Sequence, residues 1–262
     1  MPKNSLGLAL IQPDTIWEKS PENLRNLEEH FRSVKPGTNL VILPETFSTG
    51  FTMNVHNCAD DGQVRKWMQN VSSDYGWNLT GSVIARQKQG FYNRMHWVTP
   101  SPGKVQWYDK KHLFRMGREE KNFLPGNRRI IANAGTFRVL LQICYDLRFP
   151  VFSRNRNDYD LIIYIANWPA TRQRVWETLL AARAIENQAF VAGVNRVGTD
   201  GEGVSYAGGT CVIDPKGNRM ASLDEPTEGI LHAKLDLNEL RQFRKAFPAW
   251  RDADPFTMHE LE

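Results

Sequence analysis

The sequence lacks any apolar run close to the length of a membrane span, which takes about 20 consecutive apolar residues. It also lacks internal repeats, low-complexity tracts and linkers. Of its 262 residues, 41% are hydrophobic and 24% are charged, which is an ordinary balance for a globular protein. These features exclude the membrane-spanning, collagen-like, coiled-coil and disordered classes. A chain of this length buries a core without disulfides or a metal.

The excess of basic over acidic residues is small. Lysine and arginine number 33 against 29 acidic residues, which gives a net charge of +4. The densest basic stretch, 109–118, is followed at once by Glu119 and Glu120. A nucleic-acid surface needs basic residues clustered on one face. We therefore predict neither a nucleic-acid nor a membrane partner, and steeply salt-dependent binding to nucleic acid would contradict the first of these predictions.

Cysteine is scarce, and its spacing matches no disulfide framework or zinc motif. The three residues are Cys58, Cys144 and Cys211, with no CxxC or Cys/His pattern. Residues 1–5 lead directly into a strand-like run and do not resemble a signal peptide. We therefore expect reduced thiols in a cytoplasmic protein, with no metal and no cofactor. The remaining question is which thiol reacts.

Apolar runs and helical spacings alternate along the chain, which predicts a mixed α/β fold. We expect, among other elements, strands over 39–43, 161–166, 190–194 and 208–213 and helices over 63–71 and 176–187. The whole chain, 1–262, is predicted to be one domain. Its core spans about 6–235, and the C-terminal segment 236–262 closes the fold or a dimer interface.

Polar and reactive side chains follow several of the predicted strands. Ligands in α/β proteins collect at the carboxyl ends of strands, and the residues there include Glu45, Lys110, Cys144 and Asn167. Taken singly, each residue is also typical of an ordinary strand end. Together they bring an acid, a base and a thiol into one domain, which predicts a reactive site.

Cys144 is the cysteine whose surroundings suit chemistry. It follows a buried strand and precedes a tight turn into a predicted helix, whose N-terminus would favour a thiolate. Cys58 lies in a polar loop and Cys211 in a strand, so we interpret both as structural.

The base that would activate Cys144 has two candidates. His112 would form a Cys–His dyad, although a lone histidine beside apolar residues is more often a packed structural side chain. In the other arrangement, Lys110 stabilises the thiolate and a later oxyanion while Glu45 moves the proton. The residues alone leave both open.

Three segments resemble the signatures of the nitrilase, or carbon–nitrogen hydrolase, superfamily. They are Leu43–Phe47, Lys110–Phe114 and Ile143–Pro150, in the family's order of Glu, Lys and Cys. A narrower similarity is to the bacterial omega-amidase branch, which hydrolyses the terminal amide of 2-oxoglutaramate and of related amides such as succinamate. It is carried by Ala166–Ala170, Leu180–Gln188 and Gly193–Gly198.

The resemblance implies a role for each matched residue. Cys144 is expected to be the nucleophile, and Glu45 the general base that later protonates the departing ammonia. Lys110 and the backbone N–H of Tyr145 are expected to hold the oxyanion. Together these roles imply a two-step reaction through a thioester.

The family also has a second catalytic glutamate after the lysine motif. Counting back from Pro125–Gly126 favours Glu119, with the adjacent Glu120 as the alternative. The family fold is a four-layer αββα sandwich of two mixed sheets with outer helices. Its members commonly pair as homodimers, so the resemblance implies the same fold and pairing here.

The substrate-binding residues are predicted from the chemistry of an omega-amide, which carries a carboxylate at its far end. The candidates are Arg148, whose guanidinium fork suits a carboxylate, together with Trp168, Asn167 and Phe51 as pocket residues. Arg172 and Arg174 are weaker cationic candidates. The alternative functions are another carbon–nitrogen hydrolase (a nitrilase, an aliphatic amidase or an N-carbamoyl hydrolase) and a catalytically silent binding protein on this fold.

Overall fold

Two six-stranded sheets form the centre of the computed structural model, which describes residues 4–101 and 105–257. In chain order, the strands of this described part are β1 (Ser5–Gln12), β2 (Leu40–Ile42), β3 (Asn78–Gln87), β4 (Gly90–Val98), β5 (Gln106–Asp109), β6 (Ile131–Ala134), β7 (Phe137–Ile143), β8 (Leu161–Ile165), β9 (Phe190–Val194), β10 (Val197–Thr199), β11 (Ser205–Ala207), β12 (Cys211–Ile213), β13 (Arg219–Ser222) and β14 (Gly229–Asp236).

The two sheets share one pattern of pairing. The first has the order β14-β1-β2-β3-β4-β5 and the second β13-β12-β9-β8-β7-β6, while β10 and β11 form a separate hairpin. In each sheet three neighbouring strands are parallel, namely β1 to β3 and β7 to β9, and the outer strands are antiparallel. The carboxyl ends of the parallel strands of each sheet therefore meet at one edge.

Helices pack against both sheets. In chain order they are α1 (Ser20–Arg32), α2 (Val55–Cys58), α3 (Gln63–Tyr75), α4 (Glu119–Asn122), α5 (Pro150–Ser153), α6 (Gln173–Asn187) and α7 (Leu237–Ala246). Alternation along β1 shows the layering, because Leu8 and Leu10 enter the core between the sheets whereas Ala9 and Ile11 face α1 and α3. The second sheet packs against α6 in the same way. The predicted four-layer αββα sandwich is confirmed.

Some element boundaries differ from the prediction. The helix expected from residue 176 begins at Gln173, because its first two residues, Gln173 and Arg174, are polar and give no apolar signal. The strand expected over 208–213 begins at Cys211, because Gly208 and Gly209 have left-handed φ angles of 71° and 79°. The β10–β11 hairpin was not predicted, since its two strands have three residues each.

The segment after residue 236 packs on the sandwich. Leu237 and Leu240 of α7 are buried in the core between the sheets, and the guanidinium of Arg244 lies 3.2 Å from the Asp160 carboxylate. Residues 258–262 of the predicted closing segment lie outside the described residues, and its role in a dimer stays a prediction. Within the described ranges, no helix is long and apolar enough to cross a membrane.

Candidate active site

Four strand ends from the two sheets converge on one cavity of about 580 Å³. Glu45 follows β2 and Lys110 follows β5, both in the first sheet. Cys144 follows β7 and Asn167 follows β8, both in the second. All four line the cavity. The structure thus brings together the residues that the strand-end argument selected.

Lys110 lies at the centre of a buried charge cluster. Its Nζ donates to Glu45 Oε1 at 2.8 Å and to both carboxylate oxygens of Glu119, at 3.0 and 2.9 Å. Burial alone would lower the pKa of Lys110, but the carboxylates of Glu119 and Glu45 raise it above its ordinary value. The side chain is therefore a permanent ammonium. The ring of Phe51 lies beside it, with its centroid 5.2 Å from Nζ.

Of the two adjacent glutamates, Glu119 is the one that contacts Lys110. Its carboxylate also accepts the backbone N–H of Phe114 at 2.6 Å and the side-chain amide of Asn93 at 3.2 Å. Burial raises the pKa of Glu119, and Lys110 opposes that rise. Glu120 is half-buried, and its Oε2 has no hydrogen-bond partner among the described residues. The geometry therefore favours Glu119.

The Glu45 carboxylate is oriented by amides on both of its oxygens. Oε1 accepts the side-chain amide of Asn93 at 2.8 Å, and Oε2 accepts the backbone N–H of Asn167 at 2.8 Å. The side-chain nitrogen of Asn167 donates to the Glu45 carbonyl at 2.8 Å and to Thr46 Oγ1 at 3.1 Å. Asn167, predicted to bind substrate, thus uses its amide nitrogen to orient Glu45.

Cys144 lies at a sharp turn. It begins a 3₁₀ turn, Cys144–Arg148, with a left-handed φ of 45°, and its Sγ lies 4.0 Å from the backbone oxygen of Asn167. Burial raises the pKa of the thiol well above its ordinary value, and Glu45 adds to this while Lys110 opposes it. The expectation of a resting thiolate is therefore wrong, because burial and carboxylates outweigh the turn. Tyr145 follows at the start of the turn, where backbone N–H groups have no intrahelical partner.

His112 does not line the cavity. Its Nδ1 lies 2.7 Å from Asp146 Oδ1, and its ring stacks on Phe149 with centroids 4.0 Å apart. The alternative of a Cys–His dyad therefore has no support in the geometry. Asp146 is a functional candidate that sequence reasoning missed, although its position two residues after Cys144 was a signal.

Three arginines stand at the cavity mouth. The guanidinium of Arg148 lies 5.3 Å from the Trp168 ring centroid, and that of Arg172 lies 5.4 Å from the Phe114 ring. The third, Arg118, was not predicted. None of the three forms an ion pair with another described residue, whereas Arg174 does not line the cavity at all.

The β10–β11 hairpin supplies another wall that sequence reasoning missed. Tyr206 lines the cavity and its hydroxyl donates to Asp200 Oδ2 at 2.7 Å. Beneath Tyr206 lies the fully buried Arg196, with its guanidinium 4.7 Å from the ring centroid. Within 4–101 and 105–257, no group of three or more His, Cys, Asp or Glu side chains is placed to hold a metal ion.

The chain is similar to known proteins over nearly its whole length. The family model described as carbon-nitrogen hydrolase matches residues 7–245. The chain is 44% identical to the omega-amidase YafV of Escherichia coli K12, over 97% of this chain and 98% of that protein. It is 30% identical to the 2-oxoglutaramate amidase of Bacillus subtilis, over 94% and 96%.

A solved structure is also similar over nearly its whole length. It is a CN-hydrolase superfamily protein from Xanthomonas campestris, with an arsenic adduct in its active site. The TM-score is 0.94 at 39% identity, and the match covers 97% of this chain and 99% of that one.

Proposed function

Because the chain belongs to the carbon–nitrogen hydrolase family and is a hydrolase of carbon–nitrogen bonds, we propose that it cleaves the terminal amide of omega-amido acids such as 2-oxoglutaramate or succinamate. The products are the acid and ammonia. The relatives named omega-amidase and 2-oxoglutaramate amidase support this substrate class. The observation that carries the proposal is the buried cluster of Lys110, Glu45 and Glu119, of which Lys110 and Glu45 line the cavity of Cys144.

The first proposed step forms a thioester on Cys144. The thiol holds its proton at rest, so Glu45 takes that proton as Sγ bonds to the amide carbon. The carbonyl oxygen becomes an oxyanion, which the Lys110 ammonium and the Tyr145 backbone N–H stabilise. Glu45 then gives the proton to the amide nitrogen, the carbon–nitrogen bond breaks and ammonia leaves. Glu119 keeps the ammonium of Lys110 in place throughout.

The second proposed step releases the acid. Glu45, again a carboxylate, removes a proton from a water molecule whose oxygen attacks the thioester carbon. The carbon–sulfur bond breaks, and the proton held by Glu45 returns to the sulfur of Cys144. One amide and one water are consumed in each cycle, and every group of the protein regains its starting state.

The cavity mouth provides the proposed subsite for the substrate carboxylate. The guanidinium groups of Arg118, Arg148 and Arg172 line it, and none of them forms an ion pair among the described residues, although two acidic side chains of the loop between β10 and β11 line the same cavity. An arginine fork binds a carboxylate through two N–H groups. Trp168 and Phe51 form apolar walls for the methylene groups between the two ends of the substrate. A cationic subsite facing the thiol favours an amide with an anionic far end.

The proposed setting is a homodimer in the cytoplasm, in which residues 1–262 act as one domain. Val151 of α5 and Ile185 of α6 are apolar and 55% and 54% exposed, and such exposed apolar side chains support the packing of a second copy. The three free cysteines support a reducing compartment.

A substrate panel tests the proposal. Ammonia release is measured from 2-oxoglutaramate and succinamate, and turnover is compared with that of an aliphatic nitrile and an N-carbamoyl amino acid. We expect the omega-amides to have the highest kcat/KM, and faster turnover of the nitrile would refute the substrate assignment. Cys144→Ala should abolish ammonia release while Cys58→Ser retains it. Full activity in Cys144→Ala would exclude the mechanism.

A further inference from the structure

One buried carboxylate, that of Asp146, binds the chain on both sides of Lys110. Tyr108 lies two residues before Lys110, and its hydroxyl donates to Asp146 Oδ2 at 2.7 Å. His112 lies two residues after Lys110, and both its backbone N–H and its Nδ1 contact Asp146 Oδ1, at 3.0 and 2.7 Å. Because a carboxylate only accepts, Nδ1 carries the hydrogen. Lys110 is therefore held at the middle of a five-residue span with both ends tied to one side chain.

The same carboxylate closes the turn that carries Cys144. The backbone N–H of Ile143, directly before Cys144, donates to Asp146 Oδ2 at 3.0 Å. This hydrogen bond brings residues 143 and 146 together. Cys144 lies between these two residues and has its left-handed φ of 45°. A non-glycine residue stays in that region only when its surroundings hold it there. Asp146 is part of those surroundings.

Every acceptor position of Asp146 is used. The side chain is fully buried, and a carboxylate has about four lone-pair sites, which match its four donors. Burial and the Asp146 carboxylate raise the pKa of Tyr108 well above its ordinary value, so the phenol keeps its proton and donates. Two of the other donors are backbone N–H groups, which cannot reverse. The side chain of an asparagine at position 146 would therefore direct its NH₂ group toward at least one backbone N–H, and two donors cannot form a hydrogen bond with each other.

We infer that Asp146 is a positioning residue that sets the distance and orientation between the Lys110 ammonium and the Cys144 sulfur. It links the end of β5 in the first sheet to the end of β7 in the second. Catalysis is sensitive to such placement, because a shift of about 1 Å costs about 10²-fold in rate. The inference rests on the proposed roles of Lys110 and Cys144, and its test includes a readout that needs no amide substrate.

The test compares Asp146→Asn and Tyr108→Phe with Asp160→Asn, a matched control. Asp160 is also a buried aspartate, but its carboxylate binds Arg138 and Arg244, neither of which lines the cavity. For each variant we measure unfolding by urea, kcat and KM for 2-oxoglutaramate, and the rate at which iodoacetamide alkylates Cys144, followed by peptide mass spectrometry.

Asp146→Asn should lower kcat by about 10²-fold with little change in KM. It should also slow alkylation, because Lys110 moves away from the thiol whose pKa it lowers. Tyr108→Phe, which removes one hydroxyl, should shift both readouts in the same direction and carries the test if Asp146→Asn does not fold. Asp160→Asn should lower the stability to urea while kcat and the alkylation rate of the folded protein stay unchanged.

Wild-type kcat and alkylation in folded Asp146→Asn, or in Tyr108→Phe when the former does not fold, would overturn the inference. The inference would also be overturned if the losses of kcat and of alkylation rate in a variant were no larger than its unfolded fraction explains. If the wild-type protein hydrolyses no omega-amide, the proposed function fails, but the alkylation rates still decide the role of Asp146.

Discussion

The backbone N–H of Asn167 donates to the Glu45 carboxylate at 2.8 Å and joins two different sheets. Asn167 comes just after β8 of the second sheet, whereas Glu45 comes just after β2 of the first. The side-chain nitrogen of Asn167 reaches back to the Glu45 carbonyl at 2.8 Å. The proposed base is therefore oriented by the sheet that carries the proposed nucleophile, so its alignment depends on how the sheets pack.

Replacing Lys110 should cost both stability and activity. Lys110→Met leaves the carboxylates of Glu45 and Glu119 buried without a counter-charge, and breaking a buried ion pair costs about 3–5 kcal/mol. Loss of one oxyanion donor lowers kcat by about 10²–10³-fold. Urea unfolding and ammonia release measure the two effects. Adding Glu119→Gln to Lys110→Met should recover part of the stability but none of the activity. Unchanged stability in Lys110→Met would contradict the claim that Lys110 neutralises two buried carboxylates.

Glu45→Gln should move activity and thiol reactivity in opposite directions. The Glu45 carboxylate raises the pKa of Cys144, so the neutral glutamine lowers that pKa and increases the thiolate fraction. Alkylation of Cys144 by iodoacetamide at pH 8 should therefore be faster, whereas amide hydrolysis should be lost with the base. In the wild type, the alkylation rate should keep rising with pH beyond 9, because the pKa lies above that value. A wild-type plateau below pH 9 would refute the raised pKa.

Arg118 offers a test of the anion subsite that separates charge from backbone strain. It has a left-handed φ of 58°, which glycine adopts freely and other residues do not. Arg118→Gly and Arg118→Ala both remove the guanidinium, so both should raise KM for 2-oxoglutaramate. Arg118→Ala should be the less stable of the two by about 1 kcal/mol. An amide without a carboxylate serves as the control, since its KM should not change. An equal rise in the KM for this control amide would show that Arg118 does not belong to the carboxylate subsite.

Gly126 is predicted to position Lys110 through close backbone contact. Its N–H donates to the Lys110 carbonyl at 2.8 Å, and a Cβ at Gly126 would overlap the backbone carbonyl of Asp109. Gly126→Ala should therefore lower both stability and kcat. Gly229→Ala is the matched control, because its added Cβ meets Leu223 at an ordinary 3.4 Å. Equal behaviour of the two variants in thermal unfolding and ammonia release would contradict the prediction.

The strand ends were predictable from the sequence because their signals are local. An apolar run followed by an acid, a lysine or a thiol identifies Glu45, Lys110 and Cys144, and the resemblance ordered them. Counting along the chain favoured Glu119, but the choice between it and Glu120 is not decided by local sequence. It depends on side-chain direction, which is set by the left-handed turn at Arg118 and the short helix that follows.

The remaining parts of the site depend on contacts between distant segments. Asp146 looks like an ordinary turn residue until Tyr108 and His112 are brought to it from 34 or more residues away. The hairpin around Tyr206 has strands of three residues, too short for a periodic signal, and it is held by Arg196 from below. Such contacts are products of the fold, and apart from the position of Asp146 two residues after Cys144 they leave no pattern along the chain.

The raised pKa of Cys144 has a consequence for survival of the protein under oxidative stress. Peroxide attacks the thiolate form of cysteine, and the resulting sulfinic and sulfonic acids are not recovered by ordinary thiol reductants. A nucleophile that keeps its proton until an amide is in place offers peroxide little to react with between turnovers. We therefore expect burial, together with the carboxylates beside the thiol, to slow the oxidation of Cys144 by peroxide when no amide is bound.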